Sequence, residues 1–220
     1  MRHRTDLSQL RKDYCQQELD PSSAQSDPLQ QLHLWLEEAI AAEVPEPSAM
    51  NLATVDRHGR PSARMVLCKG VDHRGLLFYS NYESRKGQQL AEQTHAAVTF
   101  FWPELERQVR IEGEVRQLES AESDAYFASR PYASRIGAWA SRQSAPMQSR
   151  TELVSKAAQI SLRYPLHVPR PPFWGGYVLQ AQRFEFWQGR PSRLHDRLLY
   201  LPQSDGSWQR SRLFPYAGFV

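Results

Sequence analysis

Apolar and polar positions divide the chain into an unpatterned start, one helical stretch and a long run of strand-period segments. Residues 1–26 are polar with few apolar anchors and read as a mobile N-terminal arm; residues 27–220 read as a single domain. Asp27 can cap a helix and Pro28 suits its first position. Leu29, Leu32, Trp35, Leu36, Ala39 and Ile40 then recur at helical spacing. From Ala49 the period falls to two. "AMNLATV" and "SARMVLCKGV" flank the turn "DRHGRP" and predict a hairpin, "LLFYSN" predicts another strand, and "HAAVTFFW" pairs with "RQVRIEGEVRQL" across "PELE". Helices are expected at "ESRKGQQLAEQ", on both sides of Pro131, and from a capping box of Ser149 and Glu152 to about Leu162. The last strands are "WGGYVLQAQRFEFWQG", "RLHDRLLYLP" and "SWQRSRLF", the final two joined at Asp205 and Gly206. Strands joined by tight turns pair antiparallel, and so long a sheet tends to close on itself. The expectation is an α+β fold, a mostly antiparallel β-barrel with helices packed outside.

Composition narrows the functional classes. Lysine and arginine number 27 against 24 acidic residues, a balance too even for a nucleic-acid binder. No stretch approaches the roughly 20 apolar residues of a membrane span, and "MRHRTDLSQLRKDY" lacks the apolar run of a signal peptide. Cys15 and Cys68 lie in unlike contexts and read as free thiols in a reducing, cytoplasmic compartment. No cysteine–histidine spacing suggests a metal, and no GxGxxG, Walker or GxSxG motif is present.

Four clusters carry candidate chemistry. In "FEFWQGRPSRLHDR", a strand through residues 193–197 would place Arg193, His195 and Arg197 on one face, with Glu185 and Trp187 sharing a face opposite. Like charges in a row repel unless an anion lies across them; a solvated strand face is the plain alternative. Ser84, Arg85 and Lys86 open a helix, where unpaired N–H groups and the dipole favour phosphate. Arg64 and Lys69 bracket an apolar strand, and a lysine inside a buried strand needs a partner. Tyr126 and Arg130 share a helix face, Ser134 follows Pro131, and together they suit a second phosphate. Gln143 and Ser144 add an amide and a hydroxyl.

These clusters, in this order, resemble the pyridoxine/pyridoxamine 5′-phosphate oxidase family from "LRKDY" to "RLFP". "FEFWQGRPSRLHDR" is similar to the family's signature without a gap, and "RMVLCK", "SRKGQQL" and "RPYASRIGAWAS" match further blocks. The resemblance implies a flavin-dependent split barrel, a homodimer that binds FMN in clefts shared between subunits. It also implies oxidation of pyridoxamine or pyridoxine 5′-phosphate to pyridoxal 5′-phosphate, with O₂ reduced to H₂O₂. By the same resemblance, flavin contacts fall on Arg64, Met65, Val66, Leu67, Cys68 and Lys69, on Tyr79 and Ser80, and on Ser84, Arg85 and Lys86. They fall also on Gln108, Gln143, Ser144, Trp187 and Arg197. Substrate contacts fall on Lys69, Tyr126, Arg130 and Ser134 for the phosphate, and on Arg193, Leu194 and His195 near the ring, with Arg193 and His195 as catalytic residues. Arg11 and Tyr14 match arm residues that fold over the site. Ser80 stands where a threonine is common, and the hydroxyl is kept.

Two rivals remain open on sequence. One is another flavin-binding split-barrel oxidoreductase; the other is a non-catalytic module that holds flavin or pyridoxal phosphate. Tyr126, Arg130, Ser134, Arg193 and His195 argue against the first, because a flavin-only binder has no need of a second phosphate cradle; a yellow protein with flavin absorbance would exclude a flavin-free module.

Overall fold

The computed structural model describes Tyr14 and residues 17–215. Arg11, Cys15 and the end after Pro215 lie outside the described residues. The elements in chain order are α1 (Pro28–Ala41), β1 (Ala49–Val55), β2 (Pro61–Leu67), β3 (Gly70–Asp72), β4 (Gly75–Asn81) and α2 (Arg85–Glu92). There follow β5 (His95–Trp102), β6 (Arg107–Gln117), α3 (Ser120–Ser129), α4 (Tyr132–Ala140), α5 (Arg150–Arg163) and β7 (Trp174–Gln188). A 3₁₀ turn (Pro191–Arg193) leads to β8 (Asp196–Pro202) and β9 (Trp208–Arg212). The hydrogen-bonded order is β2-β1-β5-β6-β7-β4-β3, with β8 also on β7 and β9 on β8. The pairs β1/β2, β3/β4, β4/β7, β7/β8 and β8/β9 are all antiparallel. The fold is thus α+β with a mostly antiparallel sheet.

The chain groups into two compact units. One holds residues 48–98 and 112–181; the other holds residues up to 47, 99–111 and from 182 onward. In the first, Phe127, Ile136, Val168 and Trp174 form a core with Tyr79 and Tyr126 packed against it. In the second, Phe186 meets Trp35 and Tyr200 edge-on, and Phe184 meets Trp208 the same way. Arg107 lies buried over Trp35 at 4.4 Å, paired with Glu38 and donating to Gln188 at 2.8 Å. A buried guanidinium so placed has its charge answered and its donors used. Ahead of α1, Leu19 is buried and its N–H donates to Asp196.

Local chemistry explains most boundaries. Asp27 caps α1 by accepting from the Leu29 N–H, as its sequence predicts. Ser149 caps α5 through the Glu152 N–H, but the carboxylate of Glu152 accepts from Gln148, so the expected capping box closes one residue early. The segment "SARMVLCKGV" is not one strand. The Cys68 N–H bonds Ser48 and the next, of Lys69, bonds Leu77, so the chain changes partner there and splits into β2 and β3. Lys69 is consequently exposed at a strand break rather than held inside a strand.

The largest difference concerns residues 193–197. Ser192 and Arg193 have φ of 57° and 61°, and the strand begins only at Asp196. Arg193, His195 and Arg197 therefore share no strand face. The reversal from β7 to β8 needs these left-handed residues, which strand alternation cannot register.

Gly87 decides how α2 sits. A Cβ there would lie 2.1 Å from the Tyr82 carbonyl oxygen, too close for any side chain. Gly87→Ala should destabilise the protein by about 1–3 kcal/mol, since the obstacle is backbone that cannot step aside. Chemical denaturation checks this, and an unchanged midpoint would show that the helix start moves freely.

Candidate functional site

A cavity of about 700 Å³ opens in the first unit. Its wall combines β2, the end of β4, the start of α2, α3 and the loop at Gln143 and Ser144. Of the residues selected from sequence, Arg64, Met65, Val66, Leu67, Lys69, Tyr79, Ser80, Arg85, Lys86, Tyr126, Arg130, Gln143 and Ser144 line it.

The polar end is built around the first turn of α2. Ser84 accepts from the Gly87 N–H and donates to the Asn81 carbonyl at 2.7 Å. The Lys86 ammonium, buried, donates to Ser80 at 2.7 Å, Ser84 at 3.0 Å and Gln143 at 3.2 Å. Ser84 is fully buried, its hydroxyl is engaged on every side, and it does not line the cavity. Its hydroxyl caps the helix and holds Lys86. Cys68 is likewise behind the wall: its thiol donates to Gly70, and burial pushes its pKa up to about 11. The Arg85 N–H donates to Ser144 at 3.2 Å, which ties the loop to the helix start.

Arg64 stands beside this turn. Its Nη1 donates to Leu52 and Thr54 and its Nη2 to Ser62 and Gln89. Among the described residues, no carboxylate pairs with Arg64, Arg85 or Lys86. Burial, then the charge of Arg64, pulls the Lys86 ammonium down to about 8; burial, then Arg85, lowers Arg64. Clustered cations with no carboxylate beside them are the kind of chemistry that suits a multiply charged anion.

The aromatic end carries a second cation. Tyr79 and Tyr126 stack at 3.7 Å, with Trp174 nearly parallel to both. Arg130 lies over the Trp174 ring at 4.6 Å, and its buried Nη1 has no hydrogen-bond partner among the described residues. Burial lowers the pKa of Arg130, so an anion at Nη1 would be doubly favoured. Ser134 is exposed on α4 and does not line the cavity.

The remaining selected residues belong to the second unit. Trp187 is buried with its Nε1 unpartnered among the described residues, and His195 packs on it at 4.7 Å. Tyr14 meets both rings edge-on, at 5.7 and 5.4 Å. His195 Nδ1 accepts from the Arg190 N–H at 3.1 Å. Burial first and then Arg193 depress the His195 pKa, against Asp196, so this histidine is neutral at pH 7 with its proton on Nε2. Arg197 donates to Glu185 at 3.0 and 2.9 Å and to the Phe214 carbonyl at 2.7 Å. Gln108 is half-buried on β6, while Arg193 and Leu194 are exposed.

Sequence reasoning missed Thr54, Gln89 and Ser62, which hold Arg64, and Trp174, which carries Arg130. The signal was faint: Thr54 falls on the inward face of β1, and Gln89 lies three residues after Lys86 on the same helix face.

The cavity thus combines Arg64, Arg85, Lys86 and Arg130 with the aromatic residues Tyr79, Tyr126 and Trp174. Comparison with known proteins gives the family. Residues 36–164 match the family model described as pyridoxamine 5′-phosphate oxidase, and residues 174–215 match that described as pyridoxine 5′-phosphate oxidase C-terminal dimerisation region. The chain is 58% identical to a pyridoxine/pyridoxamine 5′-phosphate oxidase of Chromobacterium violaceum over 95% of this chain and 98% of that one. It is 55% identical to the protein of that name from Neisseria meningitidis serogroup C, over 96% and 100% respectively. Among solved structures it is similar to PhzG from Burkholderia lata 383 in complex with tetrahydrophenazine-1-carboxylic acid, with TM-score 0.85, 34% identity and coverage of 90% and 98%. A pyridoxamine 5′-phosphate oxidase-related, FMN-binding protein from Nostoc punctiforme shares the fold, with TM-score 0.69, 19% identity and coverage of 86% and 98%. The chain belongs to the pyridoxine/pyridoxamine 5′-phosphate oxidase family of oxidoreductases.

Proposed function

We propose that this protein oxidises pyridoxamine and pyridoxine 5′-phosphates to pyridoxal 5′-phosphate, using FMN and passing the electrons to O₂. The carrying observation is that Arg64, Arg85 and Lys86 line one cavity together with Arg130. Arg64, Arg85 and Lys86 suit the FMN phosphate, and Arg130 with Tyr126 and Lys69 suits the substrate phosphate. With the amine, substrate, O₂ and water give aldehyde, ammonia and H₂O₂; with the alcohol, substrate and O₂ give aldehyde and H₂O₂.

Bound FMN would supply the two-electron acceptor that O₂ regenerates. The chain's own residues bind and orient. The stacked Tyr79, Tyr126 and Trp174 give a flat apolar wall. Gln108, Trp187 and Arg197 are assigned to the flavin, and Arg193, Leu194 and His195 to the substrate ring. Neutral His195 can donate only through Nε2, which suits an acceptor such as a ring oxygen. We read the protein as a homodimer with shared sites, in keeping with its C-terminal dimerisation region.

Arg193→Ala should lower turnover and catalytic efficiency together, by about a hundredfold, because its fixed charge would serve the reacting state. His195→Ala should mix that effect with a raised Michaelis constant. In the wild type, catalytic efficiency should fall only as pH drops below the ordinary histidine range near 6.5, as protonation of Nδ1 displaces the Arg190 N–H. Steady-state kinetics with flavin content measured in parallel check this. Wild-type kinetics in both variants would remove the assignment.

The reading itself is tested without air. FMN-loaded protein should bleach on adding pyridoxamine 5′-phosphate and should not respond to unphosphorylated pyridoxamine at the same concentration. A response to a tetrahydrophenazine carboxylate alone would mark instead an enzyme with the ligand class of the Burkholderia lata protein.

A further inference from the structure

Behind the cavity wall, Thr54 and Gln89 join a polar network around Arg64. Thr54 on β1 and Gln89 on α2 are 0% and 4% exposed, and neither lines the cavity. The Thr54 hydroxyl donates to Gln89 Oε1 at 2.6 Å and accepts from Arg64 Nη1 at 2.6 Å. Gln89 Oε1 also accepts from Arg64 Nη2 at 3.3 Å. Leu52 O at 3.1 Å and Ser62 Oγ at 2.8 Å take the remaining two terminal N–H groups. Every terminal N–H of Arg64 is thus held by the chain, and every acceptor is neutral.

A carboxylate would hold the guanidinium more strongly but would cancel its charge. Neutral acceptors fix the orientation and leave the charge to act on whatever enters the cavity. We infer that Thr54 and Gln89 are positioning residues that hold Arg64 as a phosphate-selecting charge, so that the protein favours FMN over riboflavin. The inference rests on the assignment of Arg64, Arg85 and Lys86 to the flavin phosphate. The polar pair also has a structural purpose, satisfying buried donors between β1 and α2. What separates the two roles is the ligand dependence: a structural defect weakens both flavins, whereas a misplaced Arg64 weakens only the phosphorylated one.

The test titrates flavin-free protein with FMN and with riboflavin, following flavin fluorescence, and takes the ratio of affinities. Arg64→Ala should collapse the wild-type preference for FMN. Thr54→Val, nearly isosteric, should reduce the ratio on the order of tenfold, as expected for loss of a hydrogen bond to a charged group. Thr54→Ser, which keeps the hydroxyl, should restore it. In the Arg64→Ala background, Thr54→Val should change the ratio no further. Should Thr54→Val fail to fold, Gln89→Met is expected to shift the ratio in the same direction. A folded Thr54→Val with the wild-type ratio, or with both flavins weakened equally, overturns the inference. If Arg64→Ala itself keeps the wild-type ratio, it is the phosphate assignment that fails, and the inference falls with it.

Discussion

Lys86→Met should cost the protein its hold on FMN, with affinity falling on the order of a hundredfold. The ammonium is buried against Ser80, Ser84 and Gln143, and a phosphate in the cavity would complete its set of neutral partners with an anion. Hydrogen bonds to charged groups contribute about 1.5–3 kcal/mol, and desolvation raises the electrostatic share. The pH dependence gives a second readout. With its pKa near 8 in the flavin-free protein, Lys86 loses its proton in mildly alkaline solution. Wild-type FMN affinity should therefore fall as pH rises above 8, by up to about tenfold per unit, and Lys86→Met should lack that slope. Stability has the opposite sign. The unfolded lysine keeps its proton up to its ordinary value of 10.5, so the unfolded state binds more protons between about 8 and 10.5. Flavin-free wild type should gain stability with rising pH across that window, and Lys86→Met should gain less. Equilibrium dialysis and denaturation at several pH values check both.

Arg130→Ala should spare the cofactor and strike the substrate. Among the described residues its buried Nη1 has no partner, and its guanidinium lies over the ring of Trp174 at 4.6 Å. A phosphate there would answer a donor left unsatisfied inside the fold. Catalytic efficiency toward pyridoxamine 5′-phosphate should drop about a hundredfold, mostly through the Michaelis constant, because the phosphate is remote from the reacting carbon and is bound alike throughout. FMN content should stay at the wild-type level. A variant that instead loses FMN would show that Arg130 belongs to the flavin end of the cavity.

How far the sequence could be read depended on the kind of signal. Period and capping gave the α1 stripe from Leu29 to Ile40, the Asp27 cap and the hairpin from Ala49 to Leu67, because each depends on neighbours in the chain. Charge without a local answer flagged Arg85 and Lys86, and the cavity has them at one end. What stayed hidden was decided by partners far away. The strand after Met65 breaks at Cys68 because Leu77 captures the next N–H. Ser84 looked like a phosphate ligand, yet Asn81, Gly87 and Lys86 consume its hydroxyl. Arg193 and His195 were placed by strand alternation, which the left-handed turn at Ser192 and Arg193 cancels. Thr54 and Gln89 are ordinary polar residues on paper and acquire meaning only beneath Arg64. The assignments to FMN and to substrate came from the resemblance, since a cationic cavity alone specifies phosphate and not which phosphate.

The central claim, an oxidase that turns B6 phosphates into pyridoxal 5′-phosphate at the expense of O₂, has one direct measurement. FMN-loaded protein is supplied with pyridoxamine 5′-phosphate in air, and O₂ consumed, H₂O₂ formed and pyridoxal 5′-phosphate formed are followed together. The account predicts that all three rise in equal amounts over many turnovers, with ammonia matching the aldehyde. Flavin that stays bound while no peroxide and no aldehyde appear would contradict it and leave a binding protein in its place.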